Sequence, residues 1–154
     1  MSEKQNYAGM NLAFQSLAGQ NLTMCNFEDA QMEGADLSGA ILEGATFDGA
    51  VLDNVNFSKA DLYMASFFSA SLKRANFFEA DMLGVDLGAA NLVGANLSRA
   101  DLSKSNIGTR SRLQGADLRE ANLSDANLRE AEYDGRTKFP DGFDPSINHM
   151  IFAS

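Results

Sequence analysis

The sequence predicts an all-β solenoid, a parallel β-helix of square cross-section with four five-residue units in each coil. Three observations lead there. Large apolar residues recur every five positions from Tyr7 to Ile107 and, after one extra residue, from Leu113 to Tyr133. Two positions before each of them, from residue 30 onward, stands Ala, Ser or Val. Similar residues also repeat at a spacing of twenty: Phe27, Phe47 and Phe67 form one series, Phe57 and Phe77 another.

A period of five excludes the two simplest elements. Five residues advance an α-helix by about 500°, which would scatter the leucines around its circumference. A flat strand alternates with period two and would send successive leucines to opposite faces. Both conflicts vanish if each pentad is a short extended piece followed by a bend, with the small residue and the large one both pointing inward. The spacing of twenty then closes one coil with four pentads. Asp61, Asp81 and Asp101, and likewise Asn56, Asn76 and Asn96, share that spacing. Residues stacked on consecutive coils lie about 4.8 Å apart, close enough for rings to stack and amides to form ladders. Twenty-six pentads make 6.5 coils, a rod roughly 30 Å tall at that spacing. Alanine slots leave room for the large side chains in a narrow interior.

The units Ala60-Asp61-Leu62, Ala90-Asn91-Leu92, Ala95-Asn96-Leu97 and Ala100-Asp101-Leu102 resemble the consensus of the pentapeptide-repeat family. The resemblance covers roughly residues 5–134 and implies a right-handed quadrilateral β-helix; the handedness comes from the resemblance alone. The segment Thr137-Lys138-Phe139-Pro140-Asp141-Gly142-Phe143-Asp144-Pro145 is similar to the C-terminal part of cyanobacterial and thylakoid members, which implies a cyanobacterial source.

The repeat is expected over residues 1–133, with a one-residue break near 108–112 and a cap over 134–154. In the cap, Asp144 and Pro145 read as a helix N-cap and first helical position, predicting a short helix over Ser146–Ile151 across the last coil. The break, Gly108-Thr109-Arg110-Ser111-Arg112, reads as a bulge or corner loop whose two arginines either meet a partner or are solvated. At the other end, the small slots hold Gln5, Met10, Gln15 and Gln20. These do not suit a tight inward site, so a distorted first coil is expected, either frayed or offering an edge for self-association.

Composition narrows the chemistry. The chain has 154 residues, one cysteine and a formal net charge of −9. Phosphate backbones and anionic membranes repel such a surface, so direct nucleic-acid or lipid binding is not expected. A single cysteine forms no intramolecular disulfide. No apolar run follows Met1-Ser2-Glu3-Lys4-Gln5 or is long enough to span a bilayer, so a soluble cytoplasmic protein is expected. Cys25 occupies an inward slot and His149, the only histidine, lies in the cap, so no metal site is expected. No cofactor is expected either, since no glycine-rich loop precedes a helix and Gly34, Gly39, Gly44 and Gly49 fall at bends. The Asp61–Asp81–Asp101 ladder lies on a convex face rather than in a pocket, and the calcium-binding glycine–aspartate pattern is absent, so no enzyme is expected.

Two surface features remain. Glu28, Asp29, Glu33, Asp36, Glu43, Asp48 and Asp53 form an acidic belt with no base between Lys4 and Lys59. Tyr63, Met64 and Leu83 should cluster beside Asp61, Asp81 and Asp101, with Phe68 and Phe78 on other faces. An exposed apolar cluster on a rigid rod points to a protein contact. The expectation is therefore a regulatory protein–protein interaction module with an unknown partner, monomeric or weakly dimeric. The alternative is an acidic DNA mimic, since some members of the family that the chain resembles imitate a duplex and bind DNA gyrase or related topoisomerases.

Overall fold

A computed structural model describes residues 5–154. Residues 1–4, which carry most of the segment that argues against a secretion leader, lie outside the described residues.

Each pentad follows one backbone plan, seen in Val55–Lys59. Asn56 donates its N–H to the Ala35 carbonyl at 3.0 Å and accepts the Leu37 N–H at 2.8 Å, both in the preceding coil. Phe57 and Lys59 donate to the Asn76 and Phe78 carbonyls of the following coil at 2.7 and 2.9 Å. The bend is a turn closed by Ala60 N–H on the Phe57 carbonyl (3.1 Å), with Lys59 at φ 58°. A positive φ at the third turn residue is the mark of a type II turn. Asn56 also reinforces the bend, because its Oδ1 accepts the Ser58 N–H at 3.1 Å. This side-chain turn explains the Asp/Asn preference beside the large residue, repeated at Asn26, Asp36, Asp61, Asn76, Asp81, Asn91 and Asn96.

Parallel bridges join residue i to i+20 from Asn6↔Asn26 through Asp81↔Asp101, so four columns of pentads run along the rod. The large residues meet in the interior. Tyr7, Phe27, Phe47 and Phe67 stack with ring centroids 4.8 Å apart and planes within 4°. Phe57 and Phe77 stack in the adjacent column at 5.1 Å. Across the corner the two columns meet edge to face, at 5.6 Å for Phe47–Phe57. Each such aromatic pair adds about 0.5–1.5 kcal/mol beyond its burial.

Two sequence expectations fail at the break. Beyond Asp101 the bridges shift to Asp86↔Arg112, Asn91↔Asp117 and Asn96↔Asn122, a separation of 26 instead of 20. The insertion is therefore six residues, and the pentad around Ile107 leaves the coil; Ile107 is 72 % exposed instead of inward. A whole pentad and one further residue leave the coil together, and Arg112 re-enters the column of Asp86. The loop is closed by Ser105 N–H on the Thr109 carbonyl (2.7 Å) and Gly108 N–H on the Ser105 carbonyl (3.0 Å). Beneath it, the Ser111 hydroxyl donates to the Met82 and Ser103 carbonyls.

The ends differ from expectation as well. No helix forms over Ser146–Ile151. Asp144 Oδ1 caps one turn, accepting from the Ser146 N–H and hydroxyl, and Met150 N–H returns to the Pro145 carbonyl. The chain then extends to pair β1 (Glu132–Tyr133) with β2 (Ile151–Phe152) in parallel. Edge pairing satisfies more backbone groups here than a single helical turn could. At the N-terminal end the first coil is in register, not distorted. Gln5, Met10, Gln15 and Gln20 fit because no coil lies above them among the described residues, and all four are exposed.

One regularity between coils was not anticipated. Bulky residues at one corner lie against glycine in the next coil. A Cβ on Gly34 would come within 2.6 Å of the Phe14 ring, and one on Gly84 within 2.7 Å of Met64 Sδ. Both glycines also hold positive φ, at +65° and +69°. Gly84→Ala is therefore expected to lower stability by about 2–4 kcal/mol in chemical denaturation, combining a left-handed backbone penalty with overpacking. In a Met64→Ala background only the backbone part should remain, about 1–2 kcal/mol. Ala65, 1 % exposed in the core, admits no larger or charged group, and Ala65→Glu should abolish the cooperative thermal melt.

Candidate interaction surface

Tyr63, Met64 and Leu83 come together on one face, each half-buried. The expelled loop is the reason they are not more exposed. Tyr63 donates its hydroxyl to Asn106 Oδ1 at 2.8 Å, and Ser105 and the Thr109 carbonyl lie against Gly84 next to Met64. The three side chains form a floor and the loop forms its wall, with Ile107 exposed at the tip. Ile41, 41 % exposed and bridged to Asp61, extends the apolar strip towards the N-terminal end. Sequence reasoning missed Ile107 because its five-residue frame is intact, and missed Ile41 because isolated exposed aliphatics carry no signal.

Asp61, Asp81 and Asp101 stack in one column, as the spacing required. Each also holds its own turn: their Oδ1 atoms accept the N–H groups of Tyr63, Leu83 and Ser103. Desolvation pushes the Asp81 carboxyl above the usual carboxylate range, the Leu83 N–H pulls the other way, and the flanking Asp61 and Asp101 charges add to the rise. Asp81 keeps an exposed edge, so water screens much of the energetic effect.

The belt residues are distributed over three corners, with Asp36 on a side, instead of along one face. Glu28, Asp29, Glu33 and Glu43 are exposed. The other three are structural. Asp36 accepts the Ser38 N–H and the Asn56 amide, which lowers its pKa, the Ser38 backbone contributing most. Asp48 and Asp53 reach up one coil, accepting the N–H of Phe68 and Lys73 and the hydroxyls of Ser66 and Ser71. Those two turns begin with serine, so an acid from the coil below supplies the missing acceptor. Asn56, Asn76, Asn96 and Asn122 continue the Asp36 column as an amide ladder.

The loop arginines do not project freely. Arg110 pairs with Glu132 and Arg112 with Asp86, each at 3.2 Å. Phe68 is 49 % exposed on another face, while Phe78 is half-buried with the Arg99 guanidinium 5.9 Å above its ring. Cys25 is buried, which raises its thiol pKa, near one end of the rod, and His149 is exposed in the cap at the other. No group of three or more metal-ligating side chains occurs among the described residues, and no helix there is long and apolar enough to cross a membrane. An open notch of about 310 Å³ between Ala121–Ser124 and Pro140–Phe143 has a mixed polar and apolar lining, with Asp141 its one charged residue.

The carboxylates predict opposite pH dependences. The Arg119 side chain, bound through 2.9 and 2.7 Å hydrogen bonds, holds Asp117 at about 2, against an unfolded value near 3.9. Its contribution is present above about pH 4 and is lost as pH falls through 2, so Asp117→Asn should destabilise at pH 7 and match the parent in strong acid. For Asp81 the sign reverses: its folded form favours the proton, and that contribution is lost as pH rises through the folded pKa. Asp81→Asn, which keeps the Leu83 acceptor and can join its neighbours by amide bonds, should raise the melting temperature at pH 7. That gain should vanish below about pH 4.

Comparison with known proteins gives one consistent answer. The family model for a pentapeptide repeat region matches residues 20–97, and that for pentapeptide repeats matches residues 109–132. A pentapeptide repeat protein from the Arabidopsis thaliana thylakoid lumen is 31 % identical, with 62 % of this chain and 67 % of that one covered and a TM-score of 0.61. HetL of the cyanobacterium Nostoc, a pentapeptide repeat protein involved in heterocyst differentiation regulation, is 30 % identical over 85 % of this chain, with a TM-score of 0.44. The match spans 59 % of HetL. Rfr23 of the cyanobacterium Cyanothece is 24 % identical over 88 % of both chains, with a TM-score of 0.39. No curated protein matches. With the family model covering half of the sequence and its bridges repeating every four pentads, the chain belongs to the pentapeptide-repeat family and folds as a right-handed β-helix.

Proposed function

We propose that the chain is a non-enzymatic, regulatory protein-binding module. Its contact surface is the floor of Tyr63, Met64 and Leu83, with Ile107 at the rim and Asp61, Asp81 and Asp101 alongside. The observation that carries this reading is Ile107: a large aliphatic side chain, 72 % exposed, on a loop tied down at both ends by hydrogen bonds. A fixed apolar side chain loses little conformational freedom on binding, which favours its use as an anchor. Four pentads per coil give a square section with flat sides, and a flat side beside an acidic ladder suits a partner with an apolar pocket flanked by bases. A cyanobacterial source belongs to the same reading, in keeping with the character of residues 137–145.

Affinity capture from a cyanobacterial lysate, read by mass spectrometry, tests it. A specific partner should lose at least tenfold enrichment with Ile107→Asp and with Tyr63→Asp/Leu83→Asp, while the thermal melts stay cooperative. Equal recovery by parent and variants would remove this surface.

Imitation of DNA is the second reading, favoured by the outward Glu28, Asp29, Glu33 and Glu43 around the rod. Against it, Asp36, Asp48 and Asp53 are engaged in the backbone. Absence of DNA gyrase inhibition at micromolar protein would end that reading.

A further inference from the structure

The two ends of the rod differ in chemistry. At the C-terminal end, Lys138 pairs with Asp117 and β2 pairs with β1, so part of the edge is covered. At the N-terminal end, the N–H groups of Asn6, Asn11 and Ser16 find no acceptor among the described residues. In the next coil, Asn26, Gln31 and Asp36 each direct both N–H and carbonyl towards the preceding coil. By the same backbone plan, Asn6, Asn11 and Ser16 present both groups on the open side.

Exposed strand edges are ordinarily protected by charge, proline or bulges. Among the described residues this one has neither charge nor proline. Residues 5–27 contain no Asp, Glu, Lys, Arg, His or Pro, in a chain of net charge −9. The end layer is apolar: Tyr7, Leu12 and Leu17 are half-buried, while Met10 is 46 % and Phe14 77 % exposed. Over residues 28–53, which hold seven acids and no base, contact between two copies would bring like charges together. Here it would not.

We propose that the first coil is a homodimer interface, two copies stacking N-terminal end to N-terminal end about a two-fold axis. A two-fold axis across the rod makes the facing pieces antiparallel. In that arrangement opposed residues exchange both N–H···O=C bonds, which is the use that paired, same-side groups permit. A lone extended peptide could satisfy one side of the coil, whereas a second copy offers an edge to every side at once. The C-terminal cap keeps the opposite end from repeating the contact, so association closes at two and does not run on as a fibre. An end coil of this size offers roughly 500 Å² per copy, near the lower bound for a specific interface.

Sedimentation velocity of the full chain across a range of concentrations tests this, beside hydrogen exchange at the two extremes. The expected result is a concentration-dependent doubling of the 16.6 kDa mass, with slower exchange at Asn6, Asn11 and Ser16 in the concentrated sample. Met10→Glu/Phe14→Glu should weaken dimerisation at least tenfold and leave exchange at interior amides such as Phe57 unchanged. Ile107→Asp should leave dimerisation unaltered, which separates this interface from the proposed partner surface. A monomer at several hundred micromolar would overturn the proposal. So would a dimer that survives Met10→Glu/Phe14→Glu, or equal exchange at Asn6, Asn11 and Ser16 at both concentrations.

Discussion

Each pentad bonds to the coil before it through one outward residue whose N–H and carbonyl both face that coil, as Asn56 does with Ala35 and Leu37, and through a turn carbonyl, as Ser58 does with the Gly39 N–H. Those bonds fix the separation between coils, and the rest of the molecule inherits it. The phenylalanine stacks at 4.8 Å, the asparagine ladder and the crowding of Asp81 between two like charges are consequences of one backbone repeat. Interior and surface cannot adjust independently, because a side chain displaced from its column loses neighbours on both sides.

The same repeat tolerates extra residues wherever the next bridge can still form. Between Glu132 and Lys138 a bend takes in one extra residue and Lys138 still bridges Asp117, whereas after Asp101 the chain leaves the column at Leu102 and returns at Ser111 in the same orientation, and everything between becomes loop. The exposed Ile107 side chain on its fixed loop is thus a product of the expelled pentad.

Much of the fold is legible because burial imposes it position by position. The inward large residues, the alanine slots and the twenty-residue columns Phe27–Phe47–Phe67 and Asn56–Asn76–Asn96 can be read directly, since only one arrangement lets them all stack. The size of the break could not be read: separations of 21 and 26 both preserve a five-residue frame, so Ile107 looks inward either way. The cap was misjudged for a different reason. Asp144-Pro145 starts a helix and a single turn with the same residues, and the choice depends on whether an open edge lies within reach. The candidate surface was legible in part. Tyr63, Met64 and Leu83 follow from the columns, but the contact of Tyr63 with Asn106 joins residues 43 apart in sequence through a loop whose course nothing local encodes. The structural duty of Asp48 and Asp53 was hidden because it depends on serine at Ser66 and Ser71 one coil away.

The fit of Phe14 against Gly34 and Met64 against Gly84 bears on how such a rod changes over time. A glycine at a corner is the vacancy that a large neighbour one coil below occupies, so neither position is free to vary alone. Duplicating or deleting a single pentad shifts by one column every such partnership that spans the change, whereas gain or loss of a full coil preserves them. Variation in length should therefore proceed in units of twenty residues within the rod, with other lengths confined to excursions such as the one around Ile107.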